Sequence, residues 1–284
     1  MDGILNVLKP QGMTSMAVVS QVKRIFGERH VGHGGTLDPK ACGVLPILVG
    51  KATRLMPFLL QKSKAYRAEV ELGMATDTYD VEGKIISMSN SGAVTYEEVG
   101  KALANFRGPI WQIPPMYSAA RWEGKRLYEL ARKGLDVERR PKLVHIFHLE
   151  VEGFNQPWLT LVVECSSGTY IRSLVSDLGR VLGCGATLIN LIRTRYGSFL
   201  VEDAVPLSKL VRDCFIYPPS SILDFDRVVV EREEEEAIRR GQCLMLEDRG
   251  SSYVQAYTQE GDLLAILSLD KERELWHPDK VFVN

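Results

Sequence analysis

Between Val31 and Pro46 the chain reads Val-Gly-His-Gly-Gly-Thr-Leu-Asp-Pro-Lys-Ala-Cys-Gly-Val-Leu-Pro, with one carboxylate, Asp38, set among four glycines and two prolines. Glycine at this density permits backbone turns that other residues resist and lets a ligand approach the main chain. Pro39 restricts Asp38 towards an extended conformation, which fixes the direction of its side chain. A carboxylate held this way can act as a nucleophile or as a base. The same composition also describes a plain Gly-rich connection with Asp as turn former, and residue types alone leave both readings open.

Three other stretches could bring chemistry to that carboxylate. Lys64 to Gly73 alternates with period two, so Tyr66, Ala68, Val70 and Leu72 share one face and Arg67, Glu69 and Glu71 the other. Alternation alone makes Tyr66 a core aromatic. The run Cys165-Ser166-Ser167-Gly168-Thr169-Tyr170-Ile171-Arg172 turns at Gly168 and offers Thr169 as a cap. It then opens a helix whose buried face is Ile171, Leu174, Val175 and Leu178. Arg172 falls near that helix start but off the apolar stripe, a place that ordinarily leaves an arginine exposed.

The third stretch is cationic. From Ser118 to His148, Arg121, Lys125, Arg126, Arg132, Lys133, Arg139, Arg140 and Lys142 stand against Glu123, Glu129, Asp136 and Glu138. Its entry is Pro114-Pro115, and it carries Tyr117, Trp122 and Tyr128. Such an excursion suits RNA. The same residues also fit an ordinary amphipathic helix, with Leu127, Leu130 and Ala131 inward and the charges solvated.

Other patterns carry no site. His30/His33 and His145/His148 share a His-x-x-His spacing without a carboxylate or cysteine at ligand spacing, so no metal is expected. Gly50-Lys51-Ala52-Thr53 lacks the hydroxyl residue directly after lysine that a phosphate loop needs. The acids of Asp77 to Glu82 lack the terminal glutamate of a calcium loop and read as a solvated turn.

The elements that must position these residues follow from periodicity and breakers. Gly3 to Leu8 is a strand entering the turn Lys9-Pro10-Gln11-Gly12. Thr14 and Ser15 then cap a helix with Val18, Val19, Val22, Ile25 and Phe26 inward. Val44 to Val49 is an apolar strand and Ala52 to Leu60 a helix. Thr95 to Glu98 is a capping box opening a helix to Phe106. Leu143 to Phe154 and Leu159 to Cys165 are strands joined at Asn155-Gln156-Pro157. Beyond Pro218-Pro219 the composition shifts to a strand (Asp226 to Val230), a charged helix (Glu231 to Arg240) and short strands near 254–257, 263–266 and 280–283.

A chain of 284 residues can bury a large core and a smaller one. Its net charge of −1 alone argues against nucleic acid, but the average hides the basic segment. Five scattered cysteines without a C-x-x-C pair suit reduced thiols and a cytoplasmic location. The N-terminus shows no basic-then-apolar leader, and no apolar run approaches the ~20 residues of a membrane span.

Gly32, His33, Gly35, Thr36, Leu37, Asp38, Pro39, Ala41, Gly43, Leu45 and Pro46 together resemble the active-site motif G-H-T-G-T-L-D-P-x-A-x-G-v-L-p of the TruB family of tRNA pseudouridine synthases. Gly34 departs from the usual Thr, which adds flexibility beside His33. Lys9-Pro10-x-Gly12-x-Thr14-Ser15 looks like the family's first motif. The run from Lys64-x-Tyr66 to Asp77-Thr78, Asp80 and Gly83 resembles the second. Cys165 to Arg172 resembles the third, continued by Leu191, Arg193, Thr194 and Gly197, with Ile192 replacing a frequent arginine.

The resemblance implies an α+β fold. A pseudouridine-synthase core (1–224), with a large mixed, mainly antiparallel sheet flanked by helices, would carry a mobile RNA-binding thumb at about 115–141. A small β-rich, PUA-like RNA-binding domain would follow (225–284). It implies cofactor-free isomerisation of uridine to pseudouridine in the tRNA T-loop, at position 55, by a monomer that needs no protein partner. Asp38 would be the carboxylate, attacking C1′ or taking a proton from C2′. Arg172 would hold its angle, and Tyr66 would stack on the flipped base and take the C5 proton. Leu191 would back the pocket, and His33, Lys9, Arg121, Arg126, Arg132 and Lys133 would contact the T-arm. Arg121 stands where the family usually has Lys. A guide-RNA-dependent relative and a non-catalytic tRNA-folding factor are the alternative readings of the same scaffold.

Overall fold

The computed structural model describes residues 2–247 and 250–282. Strand β1 (Gly3–Lys9) leads to helix α1 (Ser15–Phe26), whose N-cap Thr14 accepts from the Ala17 N–H and whose Val18, Val19, Val22 and Phe26 are buried. Strands β2 (Val31–His33) and β3 (Cys42–Val49) flank the Asp38 loop. The helix expected from Ala52 to Leu60 begins instead as a 3-10 turn (Gly50–Leu55) and becomes α2 (Met56–Gln61), where Pro57 is accommodated in the first turn. Strand β4 (Lys64–Leu72) alternates as read, and Lys64 joins its buried face. A short hairpin, β5 (Met74–Thr76) and β6 (Ile85–Met88), precedes α3 (Tyr96–Ala104), which carries the expected capping box.

Strand β7 (Gly108–Gln112) leads into the cationic excursion, which holds β8 (Arg121–Trp122), β9 (Lys125–Arg126) and α4 (Leu127–Ala131). Then come β10 (Lys142–Asn155), β11 (Trp158–Cys165), α5 (Ile171–Val181), β12 (Ala186–Tyr196), β13 (Phe199–Leu200) and β14 (Val205–Pro206). Thr169 is not the cap expected of it. The N-cap is Tyr170, and the Thr169 hydroxyl donates back to the Ser166 carbonyl at 3.0 Å.

Ten strands form one sheet in the order β14-β1-β3-β12-β4-β11-β10-β7, with β13 on β12 and β2 on β3. The β1–β14 and β3–β12 pairings are parallel and the rest antiparallel, so the sheet is mixed and mainly antiparallel. Helices α3 and α5 cover one half of it. Ile171, Leu174, Val175 and Leu178 pack with Ala68, Val70, Leu161 and Val163 into the largest core. Each leucine, isoleucine or valine among them taken fully out of water contributes about 1.5–3 kcal/mol.

A second sheet starts at β15 (Asp226–Val229) and continues, after α6 (Arg232–Arg239), through β16 (Tyr253–Tyr257), β17 (Leu263–Asp270) and β18 (Leu275–Val281), in sequential order. Strand β18 begins five residues before the expected 280. Trp276, fully buried, anchors it ahead of the apolar run Val281-Phe282, and Val283 lies outside the described residues. Among the described residues no helix is long and apolar enough to cross a membrane.

Candidate active site

The chain from Gly34 to Ala41 is pinned from three elements before Asp38 can be aimed. From β1, Lys9 is fully buried and donates to the carbonyls of Pro10 (2.8 Å), Pro39 (3.2 Å) and Ala41 (2.8 Å). From the start of α1, the Ser15 hydroxyl accepts from the Leu37 N–H at 2.9 Å and donates to its carbonyl at 3.1 Å. From β12, buried Arg193 donates to Val44 O at 2.7 Å and reaches the carbonyls of Gly35 and Thr36 at 3.4 and 3.5 Å. Gly43 adopts φ 113°, and a Cβ there would lie 2.3 Å from the Arg193 carbonyl oxygen, so the loop closes on β12 only through glycine.

Two expectations are corrected here. Lys9 does not face a substrate, because its three N–H groups are taken up by carbonyls of its own chain; burial lowers its pKa to about 8. Gly34 does not loosen the loop. Its N–H donates to Pro46 O at 2.9 Å, its carbonyl accepts from the Tyr196 hydroxyl, and Leu59 fills the space a side chain would need.

Arg172 sits in the first turn of α5, yet only 5% of it is exposed. Its Nε meets Asp38 Oδ2 at 3.0 Å and its Nη2 meets Oδ1 at 3.2 Å, a fork-on-fork grip that fixes both the distance and the plane of the carboxylate. Nη2 also donates to Tyr117 O at 2.7 Å, while Nη1 lies 3.4 Å from both Asp80 Oδ2 and Thr78 O. Asp38 itself keeps 40% of its side chain open.

Asp38, Tyr66, Arg172 and Leu191 line one cavity of about 350 Å³, together with Lys64 and Arg193. That volume is within the range of small-ligand sites. Tyr66 is 7% exposed. Burial raises its phenol pKa, against an opposing pull from Arg193, so the neutral phenol is the form present at neutral pH. His33 stands outside the cavity, on β2, where its Nδ1 accepts from the Gly35 N–H at 3.2 Å. Burial, then the charges of Arg193 and Arg126, lower its pKa, leaving a neutral ring with Nε2–H to donate.

The cationic excursion is tied to α5 at its root. Gln112 and the Tyr170 backbone exchange bonds of 3.0 and 2.7 Å, and the Ser173 hydroxyl donates to Ile113 O at 2.8 Å. At the tip, Arg121 and Arg126 are exposed cross-strand partners on β8 and β9. Like charges directly opposite destabilise a hairpin, and an anion would relieve them. Arg126 reaches the Tyr128 hydroxyl at 3.3 Å, Arg132 lies 5.4 Å from the Tyr128 ring centre, and Lys133 is exposed. Leu127 and Leu130 are buried, so the amphipathic-helix reading and the cationic surface both hold.

Comparison with known proteins places the scaffold in a family. The description "TruB family pseudouridylate synthase (N terminal domain)" matches residues 23–171, and "tRNA pseudouridylate synthase B C-terminal domain" matches 172–229. The chain belongs to the TruB family. It is therefore an isomerase, a pseudouridine synthase. A protein of Dehalococcoides mccartyi called tRNA pseudouridine synthase B is 43% identical over 100% of this chain and 97% of its own length. One of the same name from Symbiobacterium thermophilum is 48% identical over 81% of this chain and 78% of its own. Among solved structures, a Cbf5-Nop10-Gar1 complex includes a chain 27% identical at a TM-score of 0.75, covering 99% of this chain and 85% of that one. An H/ACA RNP bound to a substrate RNA containing 2′-deoxyuridine matches at 26% identity and a TM-score of 0.73, again over 99% and 85%.

Within this TruB scaffold the structure adds residues that sequence reading did not place in the site. Asp80, read as part of a solvated turn, turns its Oδ2 to Arg172 while Oδ1 accepts from Thr78 and the Glu82 N–H. Arg193 and Ser15 hold the Asp38 loop. Asp80, Arg193 and Ser15 all lie inside family motifs, which was the available signal; Ser15 was read there also as a helix cap.

Proposed function

We propose that this pseudouridine synthase isomerises uridine 55 in the T-loop of tRNA, without a cofactor and with Asp38 as the reacting carboxylate. The observation that carries the reading is the two-point grip of Arg172 on Asp38 at the wall of a uridine-sized cavity lined by Tyr66. Asp38 either attacks C1′ or removes a proton from C2′; both routes break the C1′–N1 bond and release the base into the cavity. The base turns and C5 bonds to C1′ as the Asp38–C1′ bond breaks or, on the other route, as the proton returns to C2′; the C5 proton leaves and N1 takes one up. Atoms balance between uridine and pseudouridine with no co-substrate. Tyr66 stacks on the base and, as a neutral phenol, must pass on any proton it takes from C5.

Flipping the uridine costs a few kcal/mol, which stacking on Tyr66 and contacts by His33 and the thumb offset. Arg121, Arg126, Arg132 and Lys133 serve as phosphate contacts of the thumb, 115–141, and residues 225–284 as a PUA-like RNA-binding domain. The two relatives above named for tRNA are 43% and 48% identical, against 27% for the chain of the Cbf5-Nop10-Gar1 complex and 26% for that of the H/ACA RNP, which favours a monomer acting alone in the cytoplasm over a guide-dependent one. Purified protein and unmodified tRNA transcript, scored by pseudouridine mapping, test this. Turnover at position 55 supports the reading; binding without turnover would make the protein a tRNA-folding factor.

A further inference from the structure

Lys64 has no part in the mechanism above, yet it lines the reaction cavity and is 93% buried, with only 7% of its surface exposed. Its Nζ donates to Lys62 O at 2.7 Å and Leu60 O at 3.3 Å, and it lies 4.2 Å from the centre of the Tyr196 ring. These contacts fix the ammonium without neutralising it. Arg172 meets two carboxylates, whereas among the described residues no carboxylate pairs with Lys64, whose electrostatic neighbours are the Arg193 guanidinium and the neutral Cys165 thiol. A buried cation without a counter-ion costs stability unless something that enters the site supplies the charge.

Position narrows what that something is. Lys64 and Tyr66 are two residues apart on the same buried face of β4, about 6.6 Å along the strand. A pyrimidine stacked on Tyr66 would therefore turn an edge towards the ammonium. Phosphates of a flipped nucleotide stay at the solvated mouth, whereas the base enters the cavity where Lys64 is sealed.

Resting on the isomerase reading, we propose that Lys64 stabilises the departing uracil. As the C1′–N1 bond breaks, its electron pair moves onto the base, and the ammonium donates to the carbonyl oxygen where that charge collects. The proton stays on Lys64, and the charge returns to the ring as C5 bonds to C1′. Both routes open to Asp38 release the same anionic base, so the role is independent of that choice.

The test is single-turnover and steady-state kinetics on tRNA transcript for wild type, Lys64→Met and Lys64→Arg. Loss of one preorganised donor to a developing oxyanion lowers turnover by about 100-fold or more. Lys64→Met should lose turnover to that extent, with tRNA affinity and the salt slope of binding unchanged, and Lys64→Arg should recover much of it. Unaltered turnover with weaker binding and a salt slope flatter by about one phosphate would overturn the proposal and make Lys64 a backbone anchor.

The pH profile gives a second readout that survives a poorly folding Met variant. Burial, then Arg193, lower the pKa of Lys64 to about 8, so wild-type turnover should fall above that pH and the fall should vanish in Lys64→Arg. Tyr66 and Tyr170 line the same cavity and Tyr196 packs against the ammonium, but burial raises all three phenols and they keep their protons there. Lys9 titrates in the same range, so a fall that persists in Lys64→Arg also overturns the proposal. Wild type that forms no pseudouridine would remove the underlying reading; active wild type with an unimpaired Met variant would overturn Lys64 alone.

Discussion

Asp38 is open on one side and gripped on the other. Its side chain is 40% exposed, while the side chain of the arginine that holds both its oxygens is 6% exposed. A nucleophile or base needs that asymmetry, with access for the substrate and no freedom to turn away. Arg172 was legible in the sequence by motif but not by periodicity, which put it off the apolar stripe and therefore in water. Two carboxylates and two carbonyls take the place of water there. Lys9 was misread for a related reason: a lysine buried by saturating three carbonyls leaves no trace in hydropathy. Tyr66 gives the sharpest prediction at this scale. If its hydroxyl moves the C5 proton, Tyr66→Phe loses turnover by about 10²–10⁴-fold while the fold survives, as circular dichroism and thermal melting will show. A Phe variant of wild-type activity would reduce the residue to a stacking platform, and one that unfolds would return it to the core.

At the scale of elements, strands and helices followed from alternation and capping, because β4, α1 and α3 each bury one face against one partner. The cationic excursion did not resolve from sequence, since its composition fitted RNA and an ordinary helix equally. The structure bears out the helix and leaves the charges outside it: Leu127 and Leu130 anchor α4, and β8 and β9 set Arg121 against Arg126. Its tip has only a two-residue pairing to hold it, so hydrogen exchange should find it less protected than β4 and β11 in the free protein, and protected when tRNA binds. Replacing Arg126, Arg132 and Lys133 by Ala should weaken tRNA binding and flatten its salt dependence by about 0.7–0.9 in slope per lost phosphate contact. Turnover at saturating tRNA should suffer less than affinity. Equal protection with and without tRNA, and an unchanged slope, would leave the segment a solvated helix.

For the whole molecule, the order β14-β1-β3-β12-β4-β11-β10-β7 could not be read from the sequence, because its neighbours come from distant parts of the chain. What joins the two sheets was equally hidden. Phe58 from α2 packs edge-on against Phe225 and Tyr253, each at 5.2 Å, in a core shared with Ile4, Leu48 and Ile266. Phe58→Ala should cost about 3–5 kcal/mol in urea unfolding. Stability should also depend on alkaline pH. Lys9 and Lys64 are lowered to about 8 from 10.5, so above pH 8 the unfolded chain binds more protons than the folded one and stability rises with pH. Cys165, raised by burial from 9.0 to about 11, keeps its proton when the unfolded thiol loses it, which offsets part of the two lysines' effect and slows the rise above pH 9. Urea midpoints should therefore climb most steeply from pH 8 to pH 9 and more slowly above it, with a shallower climb in Lys9→Met. A flat profile would mean that neither lysine is desolvated as the structure has it.

The most direct test of the central claim is pseudouridine mapping on unmodified tRNA transcript incubated with wild type and Asp38→Asn, beside a measurement of tRNA binding for each. The substitution keeps the shape of the side chain and removes its charge. Wild type should modify position 55, and the variant should bind tRNA nearly as well and form no pseudouridine. Pseudouridine formed by purified Asp38→Asn at an appreciable rate would contradict the assignment of Asp38 as the reacting group.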